Sequence, residues 1–283
     1  MEPRATAFAK ATASLAKAQR RRARGEGSPR LKIDLNADIG ESPSSSTTSN
    51  DELLMRSITS GSIACGFHAG DPSLMRATVR LAQRSGVAIG AHPGFADPTG
   101  FGRREINADP PKITDMVLYQ VGALSAIARA EGLRLQHVKP HGALYNMSVK
   151  REDVAEAIAR AVASFDEKLM MVGLPGSELL AAAAAHGLRV APEGFADRAY
   201  EPDGSLTPRN LSDAVLTDPG RIADRAVQIA RDRQVIARDG SVLTMHVDTI
   251  CVHGDTPGSA AIAAAVRLGL EKAGVTVAPL VDW

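Results

Sequence analysis

The sequence predicts an α/β fold in which parallel strands close into a barrel of seven strands. Three observations favour this fold. Short aliphatic runs alternate with longer stretches of helical spacing, several of the runs are polar on one face only, and ionisable residues gather where the runs end. A central strand of an open parallel sheet is covered by helices on both sides and is apolar on both faces, so one-sided polarity fits a barrel lumen better.

Seven aliphatic runs are the candidate strands, and six stretches with helical spacing accompany them. Helix-length connections imply parallel pairing, since antiparallel neighbours need only short hairpins. Gly86, Gly132, Gly187 and Gly274 each follow a helical stretch, as glycine commonly does at helix C-termini. In chain order, the strands are expected at residues 31–38, 62–68, 87–92, 133–139, 168–174, 188–195 and 248–254, and the helices at residues 71–86, 113–132, 151–165, 177–187, 219–232 and 259–274.

The first strand shows the one-sided pattern clearly. Residues two apart on a strand point to the same side of the sheet. Asp34, Asn36 and Asp38 therefore share the lumen face, and the aliphatic residues between them face the helices. The same parity assigns to the lumen His68 of the second strand, His92 of the third, His137, Lys139 and His141 of the fourth, and Cys251, His253 and Asp255 of the last.

These inward residues lie at the C-terminal ends of the strands, where α/β barrels carry their sites. In the fourth strand, Pro140 has no amide hydrogen for a ladder bond. Pro140 and Gly142 are therefore expected to mark the point where that strand gives way to a loop.

Two chemistries suit these residues, and the sequence leaves both open. A metal site needs about three converging ligands, which Asp38, His68, His92 and His141 would supply, although no HExxH or paired CxxC spacing occurs. Metal-free hydrolysis needs a base, for which Asp38, Glu41 and Asp71 are candidates. It also needs cationic groups where negative charge develops, and Lys139, Arg103 and the histidines are candidates for that role.

Glycine-rich turns follow several of the strands. None matches the GxxxxGK[ST] or GxGxxG phosphate-binding signatures. Helix N-termini in such turns can nevertheless hold an anion such as a carboxylate or a phosphate. The arginine pair Arg103 and Arg104 follows one of these turns, and a guanidinium there would suit bidentate binding of a carboxylate.

Charge and cysteine content exclude several classes of partner. The chain has a net charge of +1, but residues 1–30 carry eight Lys/Arg against Glu2 and Glu26, so the remainder is mildly acidic. An acidic body argues against a nucleic-acid partner. Cys65 and Cys251 are far apart in apolar surroundings, and Cys65 has the parity of a core residue. A disulfide framework is therefore not expected, and a reducing, cytoplasmic location is favoured. No apolar run reaches the length of a membrane span.

The chain is expected to divide at about residue 30. We predict a basic, disordered extension over residues 1–30, with an organelle-targeting presequence as the alternative, and one barrel domain over residues 31–283. The serine-rich run at 42–50 is predicted to be a loop.

Motifs along the whole barrel region resemble the LamB/YcsF family. In order, they are KIDLNADIGE, IACGFHAGDP, AIGAHPGF, GFGRR, HVKPHGALYN, VGLPGSELL, FADRAY with DGSL and PR, and VHGDTPGSA. The resemblance implies a βα barrel related to the glycoside hydrolase/deacetylase barrel. It also implies the activity of 5-oxoprolinase, to which this family contributes the A subunit. That activity is the hydrolytic ring opening of 5-oxo-L-proline to L-glutamate, coupled to ATP hydrolysis.

The resemblance further implies partners and cofactors. The B and C subunits of 5-oxoprolinase would be partners, a small-molecule lactam the substrate, and ATP a co-substrate with Mg²⁺ as a candidate metal. No flavin, nicotinamide or haem is expected, and homo-oligomer formation is left open. The missing phosphate loop fits ATP handling that depends on the partner chains.

The residue roles follow by position. Asp38, His68, Asp71, His92, Lys139 and His141 are predicted to be catalytic, and Asn36, Glu41, Arg103, His137, Asn146, His253 and Asp255 to bind substrate. A metal-dependent amide or sugar deacetylase and a non-catalytic lactam-binding subunit remain alternatives.

Two departures from the family pattern stand out. Gly61 and Ser62 replace the usual Ala-Asn, and the parity of Ser62 places its hydroxyl in the lumen on the same side as His68. The serine-rich run replaces a glycine/aromatic loop after Glu41.

Overall fold

The structure, a computed structural model, describes residues 31–42 and 49–280. The predictions of a disordered extension over residues 1–30 and of most of the loop at 42–50 lie outside the described part, but Ser49 and Asn50 begin a helix instead of belonging to that loop. From Lys32 onward, the described residues belong to one compact unit. Among them, no helix is both long enough and apolar enough to cross a membrane.

Seven parallel strands form a closed barrel, as the sequence predicted. In order around the barrel, the strands are β1 (Lys32–Ile39), β2 (Ser60–Ala64), β3 (Ala88–His92), β4 (His137–Val138), β5 (Met170–Gly173), β6 (Arg189–Phe195) and β9 (Thr249–Cys251), and two strands outside the barrel precede β9 in the chain. Strand β9 closes the barrel by pairing with both β6 and β1. Thr249 consequently lies opposite Glu193 on one side and opposite Asp34 on the other.

Eight α-helices occur in the described residues, and they include all six predicted ones. They are α1 (Ser49–Leu54), α2 (Pro72–Ser85), α3 (Pro110–Ala130), α4 (Gly142–Lys150), α5 (Glu152–Phe165), α6 (Glu178–Ala185), α7 (Pro219–Val227) and α8 (Ser259–Lys272). The last predicted turn of α7 is a π-helical segment, Gln228–Asp232.

Strand four gives way to a loop at Pro140, as expected, but the loop is only three residues long, residues 139–141. Strand β4 has only two residues in the sheet, and Gly142 opens α4 directly, with His141 at the N-cap. Gly142 has a φ of +56°, and a Cβ there would lie 2.6 Å from the carbonyl oxygen of Gly102. Glycine at this position therefore permits both the turn and the close approach of the loop that carries Gly102.

Three short strands escaped prediction. β7 (Gln234–Ile236) and β8 (Val242–Thr244) form an antiparallel hairpin, and β10 (Thr276–Val277) pairs with the start of β1. None of these three is longer than three residues, which is too short for a periodic pattern to be recognised.

The two faces of β1 have separate roles. Ile33, Leu35, Ala37 and Ile39 are buried in the hydrophobic core, whereas the alternate polar residues face the lumen. Cys65 is also part of that core, as its parity predicted, and burial raises the pKa of its thiol to about 12. The helices thus cover an apolar outer wall, and the polar chemistry is confined to the inside of the barrel.

Candidate active site

The lowest polar layer of the lumen is a carboxyl group surrounded by hydroxyls. Asp34 accepts hydrogen bonds from Thr59 and Ser60, each at 2.7 Å, and from Thr249 at 2.5 Å. Burial raises the pKa of Asp34 to about 6, although these three hydrogen bonds act in the opposite direction. This layer is buried and forms the floor below the site.

A lysine ammonium occupies the next layer. Lys139 Nζ lies 2.9 Å from Asn36 Oδ1, 3.0 Å from Glu193 Oε1 and 2.7 Å from Asp38 Oδ1. It also donates to Cys251 Sγ at 3.3 Å. Burial lowers the pKa of Lys139, but the charges of Asp38 and Glu193 and the contact with Cys251 together outweigh burial, and the pKa lies well above its usual value. A buried ammonium paired with two carboxylates is therefore a fixed charge of this layer.

Three histidines and one glutamate form the third layer, which we call the histidine group (Glu41, His68, His92 and His141). Glu41 Oε1 lies 3.0 Å from His68 Nε2, 3.2 Å from His141 Nδ1 and 3.8 Å from His92 Nε2. His141 Nδ1 and His92 Nε2 are 2.9 Å apart. The nearest ring and carboxylate atoms of the four residues all lie within 4.8 Å of one another.

The membership of this group differs from the prediction. Asp38, His68, His92 and His141 were expected to converge, but Glu41 takes the place of Asp38. Asp38 instead joins a second group with Cys251 and His253. Its carboxylate still lies 3.4 Å from His92 Nε2, so Asp38 connects the histidine group to Lys139.

Burial and charge set the protonation of these groups. Burial lowers the pKa of His68 to about 4, so this ring is neutral at pH 7. Burial lowers the pKa of His92, but the charge and hydrogen bond of Asp38, together with the charge of Glu41, outweigh burial and the pKa rises. In Asp38 and Glu41, burial raises the pKa, but the neighbouring histidines, together with Lys139 at Asp38, lower it below the usual value. Both carboxylates are therefore ionised at pH 7.

His137 lies apart from the histidine group. Its ring covers Gly90, where a Cβ would lie 2.2 Å from the imidazole, and its Nε2 lies 3.1 Å from Ser62 Oγ. Burial lowers the pKa of His137 to about 3, and the charge of Lys139 acts in the same direction. Ser62 thus faces the lumen, as its parity predicted, and its contact is with a neutral histidine.

A cavity of about 530 Å³ opens above these layers. Asp38, His92 and Lys139 are among the residues at its lining, which also includes Arg198 and Arg209. Arg198 is buried and donates to two backbone carbonyls, those of Thr207 at 2.5 Å and Ala214 at 3.2 Å. Burial lowers the pKa of Arg198 to about 10, and the charge of Arg209 acts in the same direction.

We call Arg198 and Arg209 the arginine wall. Over residues 31–42 and 49–280, no hydrogen bond or ion pair ends on the guanidinium of Arg209. Arg198 bonds only to backbone carbonyls there, so neither arginine forms an ion pair with a carboxylate in that part of the chain. Two neighbouring guanidinium groups with spare donors are suited to bind an anion.

The two arginines predicted at the rim do not form a clamp. Arg103 pairs with Asp255, so its guanidinium is already engaged, and Arg104 pairs with Asp97. A carboxylate could be bound by Arg103 only in competition with Asp255.

Two further predicted residues line the cavity. Asn146 is exposed there. The Nδ1 of His253 lies 3.0 Å from both carboxylate oxygens of Asp197, and these contacts orient the ring. Asn146 and His253 are therefore both within reach of a bound molecule.

Asp71 does not join the site. It is exposed at the N-cap of α2, where its carboxylate accepts hydrogen bonds from the amides of Ser73 at 2.7 Å and Leu74 at 2.9 Å. Capping explains an aspartate directly before a proline that begins a helix. The predicted role of Asp71 as a catalytic base is therefore not supported by its position.

Several residues of the site were missed in the sequence. Glu193 is fully buried in β6, and Asp197 follows the same strand. Glu193 carried a usable signal, because a lone glutamate between apolar neighbours in a strand needs a buried partner. Arg198 and Arg209 lie in a long irregular segment, where no strand or helix periodicity predicts which way their side chains point.

Fold and site together define a closed (βα) barrel protein with a buried, charged site at the C-terminal ends of its strands. The chain belongs to the LamB/YcsF family, whose sequence profile matches residues 33–283. The resemblance seen in the sequence motifs is thereby confirmed.

Similar proteins cover nearly the whole barrel. A protein of Methylococcus capsulatus, named as the A subunit of 5-oxoprolinase, is 52% identical over 251 residues, which are 89% of this chain and 96% of that protein. A protein of the same name from Pyrococcus furiosus is 49% identical over 253 residues, 89% of this chain and 99% of the relative. The solved structure of a lactam utilization protein from Thermus thermophilus is 46% identical, with a TM-score of 0.82 over 88% of this chain and 99% of that one.

Proposed function

We propose that this chain is the A subunit of a 5-oxoprolinase and takes part in the hydrolytic opening of 5-oxo-L-proline to L-glutamate. The names and high identity of the relatives support this proposal. The observation that carries it in the structure is one cavity that is lined by Asp38, His92 and Lys139 and also by the arginine wall. 5-Oxoproline has two corresponding parts, a lactam and a carboxylate.

The arginine wall binds the substrate carboxylate in this proposal. Arg209 has donors that no described residue uses, and Arg198 adds a buried positive charge beside it. Charge-assisted hydrogen bonds between guanidinium and carboxylate are strong and directional. Holding the carboxylate at the wall would direct the lactam ring toward Asp38 and His92.

Asp38 and His92 act on the lactam in this proposal. Asp38 is ionised at pH 7 and its low pKa makes it a weak base, so it is better suited to orient a water molecule than to remove a proton at an early stage. His92 lies 3.4 Å from Asp38 and lines the same cavity, so it is placed beside the lactam, where negative charge develops during ring opening.

Lys139 is a positioning residue in this scheme. An ammonium has three protons, and Lys139 donates to Asn36, Glu193 and Cys251, with the Asp38 carboxylate beside it as an ion-pair partner. Binding a substrate oxygen would require the loss of one of these contacts. We infer that Lys139 keeps Asp38 ionised and in place, instead of holding the substrate.

ATP enters as a co-substrate in the proposal. A lactam is an unreactive amide, and phosphorylation of its oxygen creates a leaving group. The sequence has no phosphate-binding glycine signature, so ATP, with Mg²⁺, would be handled together with the B and C subunits. The word subunit in the names of the relatives supports assembly with further chains.

The test is 5-oxoproline-dependent formation of glutamate and ADP by the three-subunit complex. Asp38→Asn is expected to reduce glutamate formation by a factor of about 10² to 10⁴, with assembly intact on size-exclusion chromatography. Asp109→Asn, a change at the exposed N-cap of α3, is the matched control. Full activity of Asp38→Asn, with lactam binding retained, would instead identify a non-catalytic lactam-binding subunit.

A further inference from the structure

We propose that the histidine group binds one divalent transition-metal ion, Zn²⁺ in the first place, through Glu41, His92 and His141, with His68 as the fourth ligand. Three imidazole nitrogens and one carboxylate oxygen are a donor set typical of zinc sites. This inference goes beyond the proposed lactam function and stands without it.

The spacing of the four donor atoms fits such an ion. Tetrahedral zinc with bonds of about 2.0–2.2 Å holds its ligand atoms roughly 3.3–3.5 Å apart. Four of the six separations between donors are 2.9, 3.0, 3.2 and 3.8 Å, and all four donor atoms lie within 4.8 Å of one another. An ion bound by Glu41, His92 and His141 therefore requires shifts of a few tenths of an ångström, and His68 must move to complete the set.

Backbone carbonyls fix the tautomers of two rings. His92 Nδ1 lies 2.7 Å from the carbonyl oxygen of Lys139, and His141 Nε2 lies 2.8 Å from that of Phe101. A carbonyl only accepts, so each of these nitrogens carries a proton. The opposite nitrogens, His92 Nε2 and His141 Nδ1, face each other and Glu41, and they are the atoms whose lone pairs a bound cation would take up. Backbone acceptors on the outer nitrogen are a recurrent feature of metal-binding histidines.

His68 is the adjustable member of the group. Its ring is parallel to that of His141, with an interplanar angle of 2° and centroids 3.7 Å apart, so one ion cannot lie in both ring planes at once. His68 Nδ1 is buried and has no hydrogen-bond partner among the described residues. Because no acceptor there fixes its outer nitrogen, His68 is the ring that would turn to complete the coordination.

The second group of candidate ligands behaves differently. Asp38, Cys251 and His253 also converge, but Lys139 Nζ already lies 2.7 Å from Asp38 and 3.3 Å from Cys251 Sγ. Burial raises the pKa of the Cys251 thiol well above its usual value, so the thiolate that a metal prefers is disfavoured. The lysine ammonium takes the place of a cation there, and we assign the ion to the histidine group alone.

The experiment measures metal directly, without substrate. Wild-type protein purified without a metal-chelating resin is analysed by inductively coupled plasma mass spectrometry, and chelator-treated protein is titrated with Zn²⁺ by calorimetry and reconstituted with Co²⁺ for visible spectroscopy. We expect about one ion per chain and absorption bands of four- or five-coordinate Co²⁺. Zn²⁺ should also raise the melting temperature of the chelator-treated chain.

Variants locate the ion. His141→Ala and Glu41→Gln are expected to lose it, whereas His186→Ala, a change at the end of α6 where the histidine contacts Glu156, keeps it. Wild-type protein with less than about a tenth of an ion per chain and no Co²⁺ bands would overturn the proposal. So would a stoichiometric ion that survives in both folded site variants. Either result leaves the ring-opening proposal intact.

Discussion

The histidine group and the arginine wall share one rim but have opposite electrostatic character. In the histidine group, two backbone carbonyls hold the outer ring nitrogens of His92 and His141, so the inner nitrogens of both rings face Glu41. In the arginine wall, backbone carbonyls hold the guanidinium of Arg198, and no carboxylate forms an ion pair with it in the described part of the chain. One region is therefore suited to a cation and the other to an anion.

This difference shows how a small lumen keeps opposite functions apart. Asp38 and Lys139 lie between the two regions, and each compensates the charge of the other at 2.7 Å. A pair of opposite charges at this distance is neutral overall, so it adds no net charge to either region.

Removal of the central cation is expected to have the largest effect. Lys139→Met leaves Asp38 and Glu193 buried without their countercharge and should lower the free energy of unfolding by about 3–5 kcal/mol. Chemical denaturation measures this loss. Lys150→Met removes an exposed ammonium paired with Asp203 and should leave stability nearly unchanged. An equal loss in the two variants would contradict the role given to the buried ion pair.

A pH series tests the floor below both regions. The folded-state pKa of Asp34 is raised to about 6, so the folded chain binds more protons than the unfolded chain between about pH 4 and pH 6. Stability from this group is present at low pH and is lost as the pH rises through 6, by about 3 kcal/mol in total. Asp34→Asn should remove this slope. Chemical denaturation of both proteins at pH 4, 5, 6 and 7 measures the free energy of unfolding. The same pH dependence in the wild type and in Asp34→Asn would contradict the prediction.

Substitution in the arginine wall should act on substrate binding alone. Arg209→Gln removes a charge-assisted hydrogen bond of about 1.5–3 kcal/mol, so KM for 5-oxoproline should rise roughly 10- to 100-fold with kcat largely retained. Arg84→Gln, on the exposed end of α2, is the control. Steady-state kinetics of the complex, measured for both variants, gives KM and kcat separately. A fall in kcat at constant KM would place Arg209 in the chemistry instead.

The smallest effect is predicted outside the site. Asp71→Ala removes the N-cap of α2 and should cost about 1 kcal/mol of stability while ring opening continues at the wild-type rate. Thermal unfolding and glutamate formation are measured on the same preparation. Loss of activity in a folded Asp71→Ala protein would restore the role as a base that the sequence suggested.

The barrel could be predicted from the sequence because its signal is local. Alternation along β1 separated Asp34, Asn36 and Asp38 from the outward aliphatic residues, and each of the seven strands overlaps the aliphatic run that predicted it. The second strand differs most, because it begins at Ser60 and ends at Ala64, before His68. Parity also placed Ser62 inside the lumen and Cys65 outside it. Such periodicities depend only on the geometry of a single strand.

Partners across the barrel could not be predicted in this way. Glu41, in place of Asp38, joins the histidines, and Glu193 pairs with Lys139 from 54 positions away in the sequence. Asp71 follows the same strand as His68 but caps a helix. These outcomes depend on strand register and on where each loop turns after its strand.

The sequence by itself determined the alternation of strands and helices, the inward face of each strand and the family to which the chain belongs. Only the tertiary structure decided which inward residues meet, because closure of the sheet joins β9 to β1 and brings distant strand ends to one rim. It also decided that imidazole nitrogens and the Glu41 carboxylate lie on one side of the rim and guanidinium donors on the other. Hydrogen bonds from ring and guanidinium nitrogens to backbone carbonyls produce that division, and the positions of those carbonyls exist only in the folded chain.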